Sequence, residues 1–163
     1  MAKGDLFLKL EGERAGPIRG EAHDAVHGQE IDITSWSWSM DYPDELRSGG
    51  RTGRASLRSL CVTKSTDASS TALMSAMYTN EKLKKAVLTV RKASGAAPID
   101  YFVVTLKDAY ITRFDIESKE SPAPGLVERL ELRFAGIDIT YAAQDAKGQK
   151  QGGSSFTAQV SSA

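Results

Sequence analysis

The chain has 163 residues, a length that usually folds around a single hydrophobic core. Its 21 Lys and Arg residues balance its 21 Asp and Glu residues, and this neutrality excludes the long-range field with which polybasic proteins bind nucleic acid or anionic membranes. With 40% hydrophobic and 26% charged residues, the composition is that of a globular protein rather than a disordered one. The single cysteine, Cys61, excludes an intramolecular disulfide and a thiolate metal cluster within one chain.

The N-terminal sequence becomes acidic at Asp5, before an apolar run of signal-peptide length can form. No apolar stretch approaches the roughly 18 residues that a membrane span needs. We therefore expect the protein to be made and folded in the cytosol. If it acts outside the cell, we expect export by a route other than the general secretory pathway.

The first predicted strand covers residues 5–10, where leucines occupy every second position. Residues 29–40 show the same alternation with a change of parity near Thr34 and Ser35. The apolar positions are odd-numbered before this change and even-numbered after it: Ile31 and Ile33, then Trp36, Trp38 and Met40. A β-bulge produces such a change, so we expect one bent strand here.

A second parity change, at Ala135 and Gly136, divides residues 126–141 in the same way. Two long strands that are bent in the middle favour a small closed or nearly closed barrel over a flat sheet. Further strands are predicted at residues 54–63, 86–92 and 101–117, the last of which is also expected to bend in its middle.

One helix is predicted among these strands. Residues 69–80 carry apolar side chains at helical spacing, and residues 65–67 offer an N-cap. The predicted fold class is therefore mainly β, a small barrel of antiparallel strands with one flanking α-helix. The last 22 residues are rich in Gly, Ser, Ala and Gln, and we expect them either to form one short strand around Phe156 and Val160 or to stay mobile.

Three features of the sequence resemble functional motifs, but each is only a weak indication of a functional site. His23 and His27 have the spacing of a shared helical face, but no third ligand accompanies them, so we expect solvated loop residues and no metal site. The glycine-rich residues 49–54 lack the strand-to-helix context of a phosphate-binding loop and are interpreted as a hairpin loop. Cys61 lies in an apolar strand pattern, which is typical of a small core residue and not of a nucleophile. We predict no enzyme activity and no cofactor.

Two segments are unusual for a plain core. In the run Trp36-Ser37-Trp38-Ser39, the two indoles share one face of a strand and the serines share the other. The serine face either meets bulk water or lines a shared aqueous space. Residues 41–54 form a long connection of mixed charge between two predicted strands, and long loops in compact domains are commonly functional. Such a loop suits contact with another protein.

Several motifs follow one another in a specific order. They are Gly20-Glu21-Ala22-His23-Asp24, His27, Glu30-Ile31, Trp36-Ser37-Trp38, Thr63-Lys64, Asp67, Ser70, Leu88-Thr89-Val90-Arg91-Lys92-Ala93, Tyr101, Leu106-Lys107-Asp108, Leu132, Phe134 and Tyr141. In order and spacing they resemble the haemolysin-coregulated protein family, Hcp, of bacterial type VI secretion. The resemblance spans about residues 5–141. The chain departs from the family in the Pro122 and Pro124 turn and in its C-terminal region, where Phe156 stands in place of the frequent tryptophan.

The resemblance implies a β-barrel domain over residues 1–141, similar in fold to phage tail-tube proteins, followed by a C-terminal segment over residues 142–163. It also implies a hexameric ring with a wide lumen. Rings of this family stack into a tube that a contractile sheath propels, and free rings hold small effectors in the lumen. The implied role is structural and carrying, without catalysis, cofactor or metal.

The resemblance also assigns roles to individual residues. Ser37 is expected to face the lumen and contact effectors, because strand alternation places it opposite the two tryptophans. The ring-stacking loop is expected to use Tyr42, Asp44, Glu45, Arg47, Arg51 and Arg54. The implied partners are other copies of the chain, the sheath, spike and baseplate proteins, and small effectors, with no nucleic acid and no membrane insertion.

The implied location is the bacterial cytoplasm, followed by secretion through the type VI apparatus. An alternative from another class is a monomeric β-barrel that binds a small ligand inside its own barrel. Trp36, Trp38, Phe134 and the leucines would leave little room there once they pack inward.

Overall fold

The computed structural model describes residues 5–42, 55–92, 98–144 and 150–160. These residues form thirteen strands and one helix, which confirms the mainly β class with a single helix. The strands are β1 (Asp5–Gly12), β2 (Gly16–Ile18), β3 (Ile31–Asp32), β4 (Ser35–Ser37), β5 (Met40–Asp41), β6 (Ser56–Leu57), β7 (Leu60–Ser65), β8 (Leu83–Lys92), β9 (Ile99–Lys107), β10 (Tyr110–Lys119), β11 (Gly125–Arg133), β12 (Gly136–Gln144) and β13 (Lys150–Gln159). The helix α1 (Ser70–Tyr78) lies between β7 and β8.

The described strands pair into antiparallel sheets and do not close into a barrel, which corrects the prediction of a closed or nearly closed barrel. The large sheet has the order β13-β12-β9-β8-β1-β2, with β3 added beside β1. The small sheet has the order β10-β11-β7-β4, and β5 pairs with β6 alone. Both larger sheets contribute to one hydrophobic core, which includes Leu8, Leu10, Ile31, Leu88 and Ile137 from the large sheet and Leu60, Val62, Leu130 and Leu132 from the small one.

Each parity change in the sequence marks a crossing from one sheet to the other. Before Thr34, β3 pairs with β1 in the large sheet, and after it β4 pairs with β7 in the small sheet. At Ala135 the chain leaves β11 in the small sheet and enters β12 in the large one. Because the inner faces of the two sheets oppose each other, a crossing strand changes the parity that points into the core. The predicted bent strands are therefore separate strands in different sheets.

The same crossing divides the long run predicted at residues 101–117. The strand β9 ends at Lys107 in the large sheet, and β10 starts at Tyr110 in the small one. Between them Asp108 has φ of 50°, in the left-handed region that Asp tolerates better than most residues. The chain therefore turns at the position where the strand pattern predicted only a bend.

The helix α1 packs against β10, with Leu73 and Ala76 buried. Its N-cap is Ser69 and not one of residues 65–67, which corrects the predicted cap. Asp67 still orders this turn, because its carboxylate accepts the backbone N–H of Ser69 at 2.9 Å. Its own N–H donates to Ser70 Oγ at 3.0 Å.

The C-terminal segment contributes β13, a strand of 10 residues that runs antiparallel to β12. This strand is longer than the short strand considered from composition. At Gly153, an added Cβ would lie 2.6 Å from the carbonyl oxygen of Tyr141. Glycine at this position therefore permits the backbones of β12 and β13 to approach closely.

Candidate functional site

The outer face of the small sheet carries the predicted lumen residue, Ser37. In β4, Trp36 points inward and stacks on Phe102 with 5.7 Å between ring centroids, while Ser35 and Ser37 are exposed on the opposite face. Strand alternation predicted this arrangement correctly. The structure thus places the serine face outside the core.

The neighbouring strands continue this polar face. Ser37 pairs with Cys61 on β7, and Cys61 pairs with Glu131 on β11. One register step along, Ser35 pairs with Thr63, which pairs in turn with Arg129. The face is therefore polar along each row, and its inner counterpart is apolar at Val62 and Leu130.

Charged side chains of both signs occupy the β10 side of this face. Arg113 contacts Asp115 at 2.7 Å, and Arg129 contacts Glu117 at 2.6 Å. These side chains are about half exposed or more, so the ion pairs contribute little to folding stability. Because each pair joins an arginine to a carboxylate, this side of the face has no cluster of charges of a single sign.

An open groove of about 620 Å³ lies at the β4 end of the small sheet. Its lining combines the serine face with apolar side chains and two arginines: Ser37, Trp38, Ser39, Leu57, Arg58, Ser59, Cys61, Glu131, Arg133, Phe134 and Val160. Trp38 Nε1 donates to the carbonyl oxygen of Arg58 at 3.0 Å, and the Arg58 guanidinium contacts Asp41 at 2.6 Å. The hydrogen bonds from Arg58 hold the pKa of Asp41 below its usual value, so this ion pair stays charged at neutral pH.

Cys61 lies at this groove and is half-buried, so the prediction of a core residue is wrong in its placement. Burial and the nearby Glu131 charge raise the pKa of its thiol above the usual value. The thiol is therefore protonated at neutral pH, whereas a nucleophilic cysteine requires a lowered pKa.

The two histidines occupy different environments, and the solvated-loop prediction is wrong for His27. His23 is exposed, whereas His27 is only 8% exposed. The His27 ring stacks on Phe7 with 4.6 Å between centroids and lies between the carboxylates of Glu30 and Asp100. Within the described ranges, no group of three or more His, Cys, Asp or Glu residues could hold a metal ion.

Two of the motifs that carry the family resemblance, residues 20–24 and 88–93, contribute residues that hold the fold together. Arg91 contacts the carboxylates of Asp5 and Asp24, each at 2.6 Å, and lies over the ring of Phe7. The hydrogen bond from Arg91 keeps the pKa of Asp24 well below its usual range. This part of the motif therefore fastens the connection between β2 and β3 onto the large sheet.

Sequence reasoning missed a buried ion pair in the small sheet. Lys64 Nζ lies 2.7 Å from Glu128 Oε1, and both side chains are fully buried. Lys64 also contacts Asp67 at 3.1 Å and donates to Ser70 Oγ at 3.1 Å. Parity could have revealed the pair, because Lys64 shares the inward parity of Leu60 and Val62 in β7.

The predicted ring-stacking loop lies almost entirely outside the described residues. Asp44, Glu45, Arg47, Arg51 and Arg54 belong to residues 43–54, as does the glycine-rich hairpin prediction for residues 49–54. Tyr42, the last residue described before this loop, is 49% exposed. The structure thus fixes only where the loop leaves the fold, at the end of β5.

In the part of the chain that the structure describes, no helix has the length and apolar character needed to cross a membrane.

Comparisons with known proteins agree on one family. The family described as type VI secretion system effector, Hcp, matches residues 7–141. Protein hcp1 of Pseudomonas aeruginosa is 32% identical over 151 residues, which cover 91% of this chain and 90% of that protein.

Solved structures agree with this match. A type six secretion system protein superposes with a TM-score of 0.85 at 19% identity, covering 96% of each chain. A type VI secretion system effector from Yersinia pestis superposes with a TM-score of 0.75 at 25% identity, covering 96% of this chain and 100% of the other.

Proposed function

Because the chain belongs to the Hcp family of type VI secretion, we propose that it is a tube component that assembles into hexameric rings. The rings stack into the inner tube of the secretion apparatus and hold small effector proteins in their lumen. The role is structural and carrying, without catalysis. The observation that carries the proposal is the polar outer face of the small sheet, which fits the wall of an aqueous channel.

The two faces of the small sheet support this assignment. The inner face is committed to the core through residues such as Val62 and Leu130, so it is not available to a partner. The outer face presents hydroxyls at Ser35, Ser37 and Thr63. It also carries ion pairs, each of which joins a positive to a negative side chain. A lining of this kind keeps water in the lumen and offers hydrogen bonds without a sticky apolar surface.

Ser37 is proposed as an effector contact. It is exposed, it lies on the outer face, and it borders the open groove of about 620 Å³. The stacking surface is proposed to be the loop that contains Tyr42, Asp44, Glu45, Arg47, Arg51 and Arg54. Its mixed charge allows one ring to attract the next through opposite signs, and rim charges of this kind change association more than folding.

The proposed partners follow from this role. They are other copies of the chain, the sheath, spike and baseplate proteins, and small effectors. Release is proposed to occur through the secretion apparatus from the bacterial cytoplasm. The alternative, a monomeric barrel that binds a ligand inside, is not favoured by any observation, because Leu8, Leu88 and Leu130 are almost completely buried where such a ligand would lie.

The mass and shape of the particle in solution test the ring. We expect a species of about six times the 17.6 kDa subunit mass by light scattering, and rings in electron micrographs. Monomers at micromolar concentration and low salt would refute the proposed ring. Since ring and subunit differ sixfold in mass, the two outcomes are readily distinguished.

Substitution of Ser37 tests the lumen assignment. S37Q should reduce effector retention on the ring while leaving the melting temperature nearly unchanged, because the side chain points away from the core. The matched control is S75Q on α1, where Ser75 is also exposed but lies outside the small sheet. Equal retention by S37Q and S75Q would refute the lumen role of Ser37.

Charge reversal tests the stacking loop. The triple variant R47E/R51E/R54E should weaken the stacking of rings, measured by sedimentation of tubes, while single rings remain intact. A comparison at low and high salt should show the largest difference at low salt, because salt screens exposed charges. Loss of the ring itself would place the loop at the contact between neighbours within a ring instead.

A further inference from the structure

Within the connection between β2 and β3, residues 20–30 form a separate small unit that lies on the large sheet. We call it the 20–30 segment. Its backbone is bonded mainly to itself: Gly20 N–H donates to Gln29 O at 2.8 Å, and Gln29 N–H donates to Ala22 O at 2.9 Å. Side chains attach this unit to the rest of the molecule. The attachment at its C-terminal half is His27.

The His27 ring is held between two carboxylates and an aromatic ring. Its Nδ1 lies 2.7 Å from Glu30 Oε2, within the segment, and its Nε2 lies 3.0 Å from Asp100 Oδ2, on β9. The ring is stacked nearly parallel on Phe7 of β1, with an interplanar angle of 16°. His27 therefore connects the segment to two different strands of the large sheet.

The two carboxylate contacts require a particular protonation state. Ionised carboxylates only accept hydrogen bonds, whereas a neutral imidazole has one N–H donor and one acceptor nitrogen. Only the imidazolium ion can donate to Glu30 and Asp100 at the same time. In the neutral form, one nitrogen would present a lone pair to a carboxylate at a hydrogen-bond distance.

We propose that His27 is a pH-sensitive latch, which fastens the 20–30 segment to Asp100 when the imidazole is protonated and releases it when the imidazole is neutral. Release uncovers Phe7, which is 4% exposed beneath the ring. The proposal concerns the folded subunit and does not depend on the proposed ring.

Other charged groups near His27 lie on the segment, on β1, on β3 and on β8. On β3, Asp32 pairs with Phe7, and burial and the Asp67 charge raise the pKa of its carboxyl. On the segment itself, Asp24 accepts the backbone N–H groups of Val26 and His27, each at 2.9 Å. From β8, Arg91 approaches Phe7, and from β1, Asp5 approaches Arg91. Arg91 contacts both Asp5 and Asp24, so its charge is balanced locally and does not oppose a second cation at His27. Asp24 and Arg91 stay ionised at neutral pH and keep the N-terminal half of the segment attached.

The direction of the pH effect follows from the same contacts. Burial of the ring lowers the pKa of His27, but the hydrogen bonds and charges of Glu30 and Asp100 more than offset this, and the net pKa is raised above 6.5. A raised pKa in the folded state means that the latch stabilises the protein fully below pH 6.5. This contribution is lost as the pH rises through the folded-state pKa.

Nuclear magnetic resonance of the ring nitrogens tests the latch directly. In H23Q, which removes the exposed histidine, the remaining signals belong to His27. We expect both nitrogens to be protonated at pH 6 and the titration midpoint to lie above 6.5. D100N should lower this midpoint, because it removes one of the two carboxylates. A midpoint at or below 6.5 in H23Q would overturn the proposal.

Hydrogen exchange tests the release. After correction for base catalysis, exchange of the C-terminal half of the segment should rise at least about tenfold between pH 6 and pH 9, the lower end of the range expected for one charge-assisted hydrogen bond. H27Q should show fast exchange at both pH values, and H23Q should behave as the unsubstituted protein does. If H27Q does not fold, D100N replaces it in the test. In D100N, protection of this half of the segment from exchange must be lost at a lower pH than in the unsubstituted protein. Equal exchange at pH 6 and pH 9 would overturn the latch.

Discussion

Removal of the Lys64 charge should destabilise the protein more than any surface substitution. Lys64 Nζ is 2.7 Å from Glu128 Oε1, and neither side chain is exposed. It also contacts Asp67, so one ammonium group serves two carboxylates. The substitution K64M keeps the length and apolar character of the stem but leaves Glu128 buried without its cation.

The expected magnitude follows from the burial. Removing one partner of a fully buried ion pair costs about 3–5 kcal/mol, because the remaining charge is left uncompensated. For a domain of this size, each kcal/mol corresponds to about 2–4 °C in melting temperature. K64M should therefore melt about 6–20 °C below the unsubstituted protein. The exposed Lys85 provides the control, since K85M should change stability by no more than about 0.5 kcal/mol.

A double-mutant cycle separates the pair from the side chains. K64M/E128L replaces both charges by apolar groups of similar volume and should recover at least about half of the loss in K64M. Chemical denaturation at one fixed protein concentration measures each variant, since assembly would add a dependence on concentration. A coupling energy near zero, or K64M as stable as K85M, would refute the idea that the pair holds β7 and β11 together.

The Lys64–Glu128 pair should also make the folding stability depend on pH in the acid range. Burial alone would raise the pKa of Glu128, but hydrogen bonds from Lys64, Thr66 and Ser70 together lower it below 4.5. A lowered folded-state pKa means that the stabilisation is present above pH 4.5 and is lost as the pH falls through the folded-state value. In acid, the unsubstituted protein should therefore lose stability relative to K64M/E128L, which lacks the pair. Parallel curves down to pH 2 would contradict this reasoning.

Three further substitutions test other parts of the fold by denaturation. E81A removes a buried carboxylate that accepts two backbone N–H groups near the β1–β2 hairpin and should cost about 1–3 kcal/mol, whereas E81Q should cost less. G153A would place a Cβ 2.6 Å from Tyr141 O and should cost about 1–3 kcal/mol, whereas the control G152A, which has open space, should cost less than half as much. Y78S changes a side chain that is 93% exposed, so its effect on subunit stability should stay within about 0.5 kcal/mol, and a larger loss would indicate a packing role.

Most strand positions could be predicted from the sequence, because alternation with period two reflects which face is buried. The same alternation located the crossings at Thr34 and Ala135 but not their cause. A bulge within one strand and a passage between two sheets both change parity, and only the pairing partners distinguish them. For this reason the barrel prediction was wrong although the parity observation was correct.

Within the candidate site, alternation was sufficient for Ser37, since the exposed and buried faces of β4 depend on neighbouring residues only. It was insufficient for His27, whose burial depends on Phe7 and Asp100, 20 and 73 positions away in the chain. Loop composition around His27 is polar, so local sequence favours exposure there. Contacts between distant residues thus account for what the sequence did not reveal.

The positions of the acidic and basic residues show how the equal numbers of the two signs are balanced within the subunit. Some of the charges neutralise each other inside the subunit, as in the Lys64–Glu128 pair. Another part alternates in sign along the outer face of the small sheet, where Arg113 neighbours Asp115. Six copies that each carried a large charge of one sign would repel one another on assembly. A subunit whose charges balance locally avoids this repulsion and still presents a hydrated wall, which is what the proposed ring and its lumen require.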